Sequence, residues 1–147
     1  MPLHHSFVRE RPYEEMEIGE TATISKVITE ADIVNFAGII GDFNPLHVNP
    51  EYARTTMFGQ RIAHGMLTAS FISTLVGCCI PGINAVYLSQ ELKFVRPVFI
   101  GDTITATAEV IEKDDAKRRV VLKTDIVNQA GEIVISGKAV VMVMKKA

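Results

Sequence analysis

Apolar and polar positions change their period several times along the chain. Residues 21–28 alternate loosely, carry β-favouring Thr, Ile and Val, and follow a Gly19 turn, which predicts a first strand. Thr29-Glu30-Ala31-Asp32 has the form of a capping box, the Thr29 hydroxyl placed to accept from the Asp32 amide and the Asp32 carboxylate to reach back. Ile33, Phe36, Ala37 and Ile40 then recur at i, i+3, i+4 and i+7, predicting a short amphipathic helix that Gly41 ends. Residues 42–50 are too rich in Asn and Pro for helix or strand and read as an irregular loop. Asn49-Pro50 looks like the cap and first turn of another short helix through Tyr52 and Ala53.

Over residues 65–80 the periodicity disappears. Met66, Leu67, Ala69, Phe71, Ile72, Leu75, Val76, Cys78 and Cys79 fall on every side of a helical wheel, with only Ser, Thr and Gly between them. A helix apolar all round has to be buried on most faces. Four β-like stretches follow, at residues 85–95, 103–112, 118–127 and 133–144. The second alternates cleanly, with Ile104, Ala106, Ala108 and Val110 on one face and Thr103, Thr105, Thr107 and Glu109 on the other. Short polar turns at residues 96–102, 114–117 and 128–131 suit antiparallel pairing and are too short for crossover helices. One long buried helix followed by a meander predicts an α+β fold, an antiparallel sheet wrapped around a central helix.

Composition narrows the partners. The 147 residues fit one domain, 1–147, with residues 1–12 as an N-terminal extension. With 48% hydrophobic residues the chain can offset its ordering entropy, so disorder is excluded. A net charge of -2 and the absence of Trp argue against nucleic-acid binding, which needs a basic surface or stacking platform. Residues 1–10 hold His4, His5, Arg9 and Glu10 and do not resemble a signal peptide, and no run is long enough to span a bilayer. Cys78 and Cys79 are adjacent, so a structural disulfide is improbable and buried free thiols are expected, as in a cytoplasmic protein.

Two places carry candidate chemistry. Asp42 and His47 flank the Pro-stiffened loop at a spacing that is no packing period. A carboxylate and an imidazole held there can grip one water and share its protons, or Asp42 can cap a turn while His47 bonds a carbonyl. His64-Gly65 opens the apolar helix, where unpaired amides and the dipole favour a developing oxyanion and Gly admits a ligand to the backbone. The alternative is a Gly required only by a tight turn, with His64 a satisfied core histidine. A metal site from Asp42, His47 and His64 matches no helix-borne ligand spacing. Ser70 and Ser73 lack the G-x-S-x-G elbow of a nucleophile and are expected to bond back to the preceding turn, although Ser73 can also face a ligand. The absence of a Gly-rich phosphate loop argues against a nucleotide cofactor. Lys93, Arg96 and Arg61 read first as solvated surface and only second as contacts for a carrier phosphate.

The run Gly41-Asp42-Phe43-Asn44-Pro45-Leu46-His47, with His64-Gly65-Met66 opening an apolar helix, resembles the MaoC-like (R)-specific enoyl-CoA hydratases. Phe94-Val95-Arg96-Pro97-Val98 and Gly101-Asp102-Thr103 resemble the same family, and the likeness runs from about Tyr13 onward. The resemblance implies the hotdog fold and a homodimer joined by sheet edges. It implies Asp42 and His47 as the catalytic pair, Gly65 as the oxyanion amide, and Asn44 as support for the pair. Ser73 matches the family's pocket hydroxyl more weakly. It implies a lyase, reversibly hydrating trans-2-enoyl thioesters of CoA or acyl carrier protein to (R)-3-hydroxyacyl thioesters, with no cofactor and no metal. Thioester hydrolysis and a non-catalytic acyl-binding partner subunit remain as alternatives, because fold alone does not decide function.

Overall fold

The computed structural model describes residues 7–146, so His4 and His5 lie outside the described residues. The capping box forms as the spacing predicts. Thr29 Oγ1 accepts from the Asp32 amide at 3.2 Å and Asp32 Oδ2 accepts from the Thr29 amide at 2.9 Å, starting α1 (Glu30–Ile40) directly after β1 (Thr21–Val27). Gly41, at φ 78° in the left-handed region, stops the helix.

Residues 42–50 are more regular than expected. They contain one helical turn, α2 (Pro45–Val48), followed by α3 (Pro50–Arg54). Pro45 misleads because it stands at the first helical position, where a missing N–H costs nothing, and follows a capping Asn, whereas Asn49-Pro50 opens α3 as read. Asn44 accepts from Leu46, and Asn49 accepts from Glu51 and Tyr52.

The apolar segment forms α4 (Gly65–Thr74), which widens into a π-helical turn over Leu75–Cys79. Around it coils a five-stranded antiparallel sheet with β2 (Ala85–Phe94), β3 (Thr103–Asp114), β4 (Arg119–Val127) and β5 (Ile133–Val143), in the order β1-β3-β4-β5-β2. The architecture is the α+β hotdog fold. Bulges at Tyr87/Ser89 and Val110/Glu112 bend the sheet around the helix. On β3 the predicted inner face is completely buried, and its small Ala106 and Ala108 let α4 approach closely. Leu67, Ile72, Leu75 and Val76 of α4 pack with Leu122, Ile126, Ala139 and Val141 into one core. The outer face pairs hydroxyls across strands, Thr23 with Thr107 at 3.1 Å and Ser25 with Thr105 at 2.8 Å.

Three expectations need correcting. The turn at residues 96–102 does not join an antiparallel pair, because β2 pairs with β5 at one edge while β3 pairs with β1 and β4. The α4 helix is not covered all round, because Met66, Ser70, Ser73, Thr74 and Gly77 form an exposed stripe, with Met66 54% exposed. Cys78 and Cys79 are free but only partly buried, since the π turn carries them to the rim, and burial pushes the Cys79 thiol up from its ordinary value. The chain from Arg9 is strapped across the end of α4, with Arg9 N–H donating to the Cys78 carbonyl at 2.8 Å and Arg11 N–H to Pro81 at 2.9 Å. Among the described residues no helix is long and apolar enough to cross a membrane.

Candidate active site

Three short elements bring the candidate residues together. The end of α1 leads through Gly41 to Asp42, whose Oδ1 accepts from the Asn44 amide at 3.1 Å. Asn44 in turn caps α2, so one local chain of bonds fixes both the carboxylate and the helical turn carrying His47. His47 Nδ1 lies 2.8 Å from the carbonyl oxygen of Ile62, which can only accept. The proton of the neutral ring therefore sits on Nδ1, and Nε2 carries the free lone pair. That Nε2 stands 4.0 Å from Asp42 Oδ2, beyond direct hydrogen bonding and the span one water bridges. The His47 side chain is 12% exposed and that of Asp42 46%, so the pair opens outward on one side only. The turn chemistry read from spacing is seen, with Asp42 capping a turn and His47 bonding a carbonyl, and the second ring nitrogen of His47 faces the carboxylate.

His64 ties this pair to α4. Its buried ring stacks on His47 at 3.9 Å between centroids and meets Phe36 edge-on at 5.2 Å. Its Nε2 donates to the Asp42 backbone carbonyl at 2.9 Å, while its Nδ1 is buried without a partner among the described residues. Asp42, His47 and His64 each bring a ligand atom within 4.8 Å of the other two. The arrangement of the three does not favour a metal held through His64 Nε2. His64 Nε2 must carry its proton to bond a carbonyl, and the two nearly parallel rings do not aim at one point.

Although His64 is the N-cap of α4, its side chain caps no amide. The first N–H groups of the helix, beginning with Gly65, are thus left for another acceptor and carry the positive end of the dipole. Gly65 does not have a positive φ, so the backbone does not demand glycine. With the Phe94 ring as placed, a Cβ there would lie 2.6 Å from it, so a larger residue requires that ring to move. Gly65, Ile62 and Phe94 line a pocket of about 460 Å³ together with Met66, Thr68 and Arg96.

The remaining candidates lie elsewhere. Ser70 bonds back to Leu67 as expected, at 2.5 Å, whereas Ser73 sits exposed on α4 outside that pocket. Arg61 is not solvated surface but 8% exposed and paired with Glu30 at 2.8 Å. Arg96 donates to the Ile133 carbonyl and pairs with Glu132, and Lys93 is exposed. Sequence reasoning missed Phe94 and Thr68 as site residues. Thr68 follows Gly65 by three positions on the same helix, a spacing that was available, whereas the Phe94 contact spans 29 residues and has no local signal.

Comparison with known proteins adds to this geometry. A family model described as a MaoC like domain matches residues 13–130. The (R)-specific enoyl-CoA hydratase of Rhodospirillum rubrum is 49% identical over 131 residues, covering 89% of this chain and 90% of that protein. The 3-hydroxybutyryl-CoA dehydratase of Methylorubrum extorquens is 43% identical over 134 residues, covering 91% and 85%. Among solved structures, the unliganded R-hydratase PhaJ1 of Pseudomonas aeruginosa superposes with a TM-score of 0.90 at 42% identity, covering 95% of this chain and 89% of that one.

Proposed function

The chain belongs to the MaoC-like domain family, and from that premise we propose that Asp42, His47 and the Gly65 amide carry out its reaction. That reaction is the reversible, (R)-specific hydration of trans-2-enoyl-CoA thioesters to (R)-3-hydroxyacyl thioesters, a hydro-lyase step. The observation that supports the roles is the fixed tautomer of His47, whose free Nε2 faces the Asp42 carboxylate across a one-water gap.

An enoyl thioester is a poor electrophile at its β-carbon until its carbonyl is polarised. With the carbonyl oxygen on the Gly65 N–H, the enolate oxygen that develops meets an amide and a helix dipole already in place. The Asp42–His47 pair holds the water. Its oxygen bonds the β-carbon, one of its protons passes to the pair, and the pair returns a proton to the α-carbon. The double bond is replaced by one C–O and one C–H bond, with no electrons gained or lost. Asn44 supports the pair through the cap, and His64 holds the His47 ring from its face and Asp42 by its carbonyl. Ser73, exposed on α4, is assigned to the pocket wall contributed across a subunit boundary.

That boundary is a homodimer. The β2 strand is a sheet edge with its outer backbone groups unpaired, and Tyr87, Leu88, Phe94 and Val95 are exposed along it beside the open stripe of α4. A second copy pairing edge to edge covers both. Residues 1–147 act as one domain.

Spectrophotometry with crotonyl-CoA tests the reading. Loss of enoyl absorbance without free thiol is expected; free thiol indicates a thioesterase, and no change in either indicates a non-catalytic partner. Sedimentation of the same sample should give a dimer at micromolar concentration, and a monomer would remove the assembly.

A further inference from the structure

Besides the Gly65 amide, the pocket holds a buried side-chain hydroxyl with nothing to bond among the described residues. Thr68 is 1% exposed, and its Oγ1 has no hydrogen-bond partner among the described residues. A helical threonine ordinarily turns its hydroxyl back onto a carbonyl three or four residues earlier, as Ser70 does here. The Thr68 hydroxyl forgoes that bond, although a buried hydroxyl left unpaired is costly. The rest of the wall is nearly all apolar, formed by Phe58, Ile62, Met66, Phe94 and Val98 among others.

Thr68 lies three residues beyond Gly65 on α4, about 4.5 Å along the axis at 1.5 Å per residue. A thioester anchored by its carbonyl on the Gly65 amide has no polar atom at that remove on its acyl side. On its other side, sulfur and two methylenes lead, over a comparable length, to the first amide of the carrier arm. An acyl tail in this pocket would leave the hydroxyl unpaired, whereas the arm satisfies it. We infer that the pocket takes the thioethylamide arm shared by CoA and acyl carrier protein, and that Thr68 Oγ1 accepts from the first amide N–H of that arm. This rests on the hydratase reading above. The Phe94 ring lies over Gly65 at the end of β2, and the arm enters as that side chain rotates aside.

The test pairs a substrate change with an enzyme change. Crotonyl thioesters of N-acetylcysteamine and of 2-mercaptoethyl acetate differ only in an amide N–H replaced by an ester oxygen. Wild-type protein should favour the amide in kcat/KM by roughly tenfold, mostly through KM. Thr68→Val should reduce that preference to near unity by lowering kcat/KM for the amide substrate more than for the ester, and Thr68→Ser should retain it. Crotonyl-CoA and crotonyl-acyl carrier protein should lose the same factor in Thr68→Val. A preference that survives Thr68→Val, an equal loss on both small substrates, or a loss confined to one carrier overturns the inference. Should wild type hydrate nothing, the hydratase reading fails. Calorimetry with the saturated butyryl thioesters then still decides whether Thr68 senses the amide.

Discussion

Two clusters of rings and charges stand at opposite ends of the sheet. At the Tyr13 end, beyond the β3–β4 hairpin, most polar groups are paired, with Arg119 Nε the buried exception among the described residues. Tyr13 Oη donates to Asp115 at 2.6 Å, and Lys113 donates to the carbonyls of Tyr13 and Met16 at 3.0 and 2.7 Å from above the ring. Arg118 reaches Glu14 and the Val143 carbonyl, and Arg11 binds Glu20 through two nitrogens at 2.9 and 2.7 Å. At the Gly65 end the reverse holds. His47 Nε2 stops 4.0 Å from Asp42, and His64 Nδ1 and Thr68 Oγ1 are buried with no partner. The first cluster spends its valences on closing the fold. The second keeps three open beside a pocket, as a site must if water and substrate are to complete it. Substitutions should therefore separate, moving activity at one end and stability at the other.

The largest effect is expected at the pair. Asp42→Asn and His47→Gln preserve size but remove proton transfer, and each should lower kcat by roughly 10²–10⁴-fold while the thermal midpoint scarcely moves. The double variant should lose far less than the product of the two, since groups handling one water act as a unit. A folded single variant with near-normal turnover would end the mechanism and blur the contrast between the two ends.

Gly65→Val comes next. Its expected cost is about 10²–10³-fold in kcat if the amide is lost to the thioester carbonyl. The backbone at Gly65 tolerates any residue, so a strained turn is no longer a reason for damage. The new side chain meets a half-exposed Phe94 ring that can swing aside. Turnover and midpoint measured on one preparation separate these effects. A lowered midpoint with normal activity per folded molecule would leave Gly65 as a packing residue and move it to the structural side of the comparison.

Much of this arrangement was legible in the chain wherever a signal is local. The Thr29/Asp32 box and the period-two face of β3 depend on neighbours two to four residues away, and both form as read, as do the β3–β4 and β4–β5 hairpins. The 96–102 turn does not close a hairpin, since which strand β2 pairs with is settled by the whole sheet and not by the turn beside it. The turn at Pro45–Val48 was misread because Asn and Pro were counted as breakers when their positions make them a cap and a first residue. The burial of Arg61 against Glu30, the Phe94 ring over Gly65 and the stacking of His64 on His47 join residues 17 to 31 positions apart, beyond any periodicity. For the site, spacing alone left Asp42 and His47 open between turn chemistry and catalysis, and the family resemblance chose between them. The exposed stripe on α4 and its π turn was legible but passed over, since Met66, Ser70, Ser73, Thr74 and Gly77 recur at helical spacing and all but Met66 are polar or Gly.

The smallest effect belongs to the closed end, where Tyr13→Phe removes one hydrogen bond from a buried ring. Asp115, its partner, is exposed and can turn to water, so the cost at neutral pH should be only about 1 kcal/mol, with kcat unchanged. Alkali makes the variant more informative. Burial first, and then the bond to Asp115 and the charges of Asp115 and Asp114, push the Tyr13 phenol from 10.0 up to about 12, against the smaller opposing pull of Arg118. The unfolded chain gives up this proton near pH 10, while the folded protein keeps it until about pH 12. Below pH 10 the group adds no pH dependence. Between those values unfolding releases a proton, so the stability it contributes is lost as pH rises. Phenylalanine has no proton to release, and the urea midpoint of Tyr13→Phe should fall less steeply across that window than that of wild type. Tyr87 is also shifted upward by burial but is common to both proteins, so the difference between the two curves isolates Tyr13. Parallel curves would mean that the Tyr13 phenol is not held by the fold, and the closed end would then be less closed than its hydrogen bonds imply.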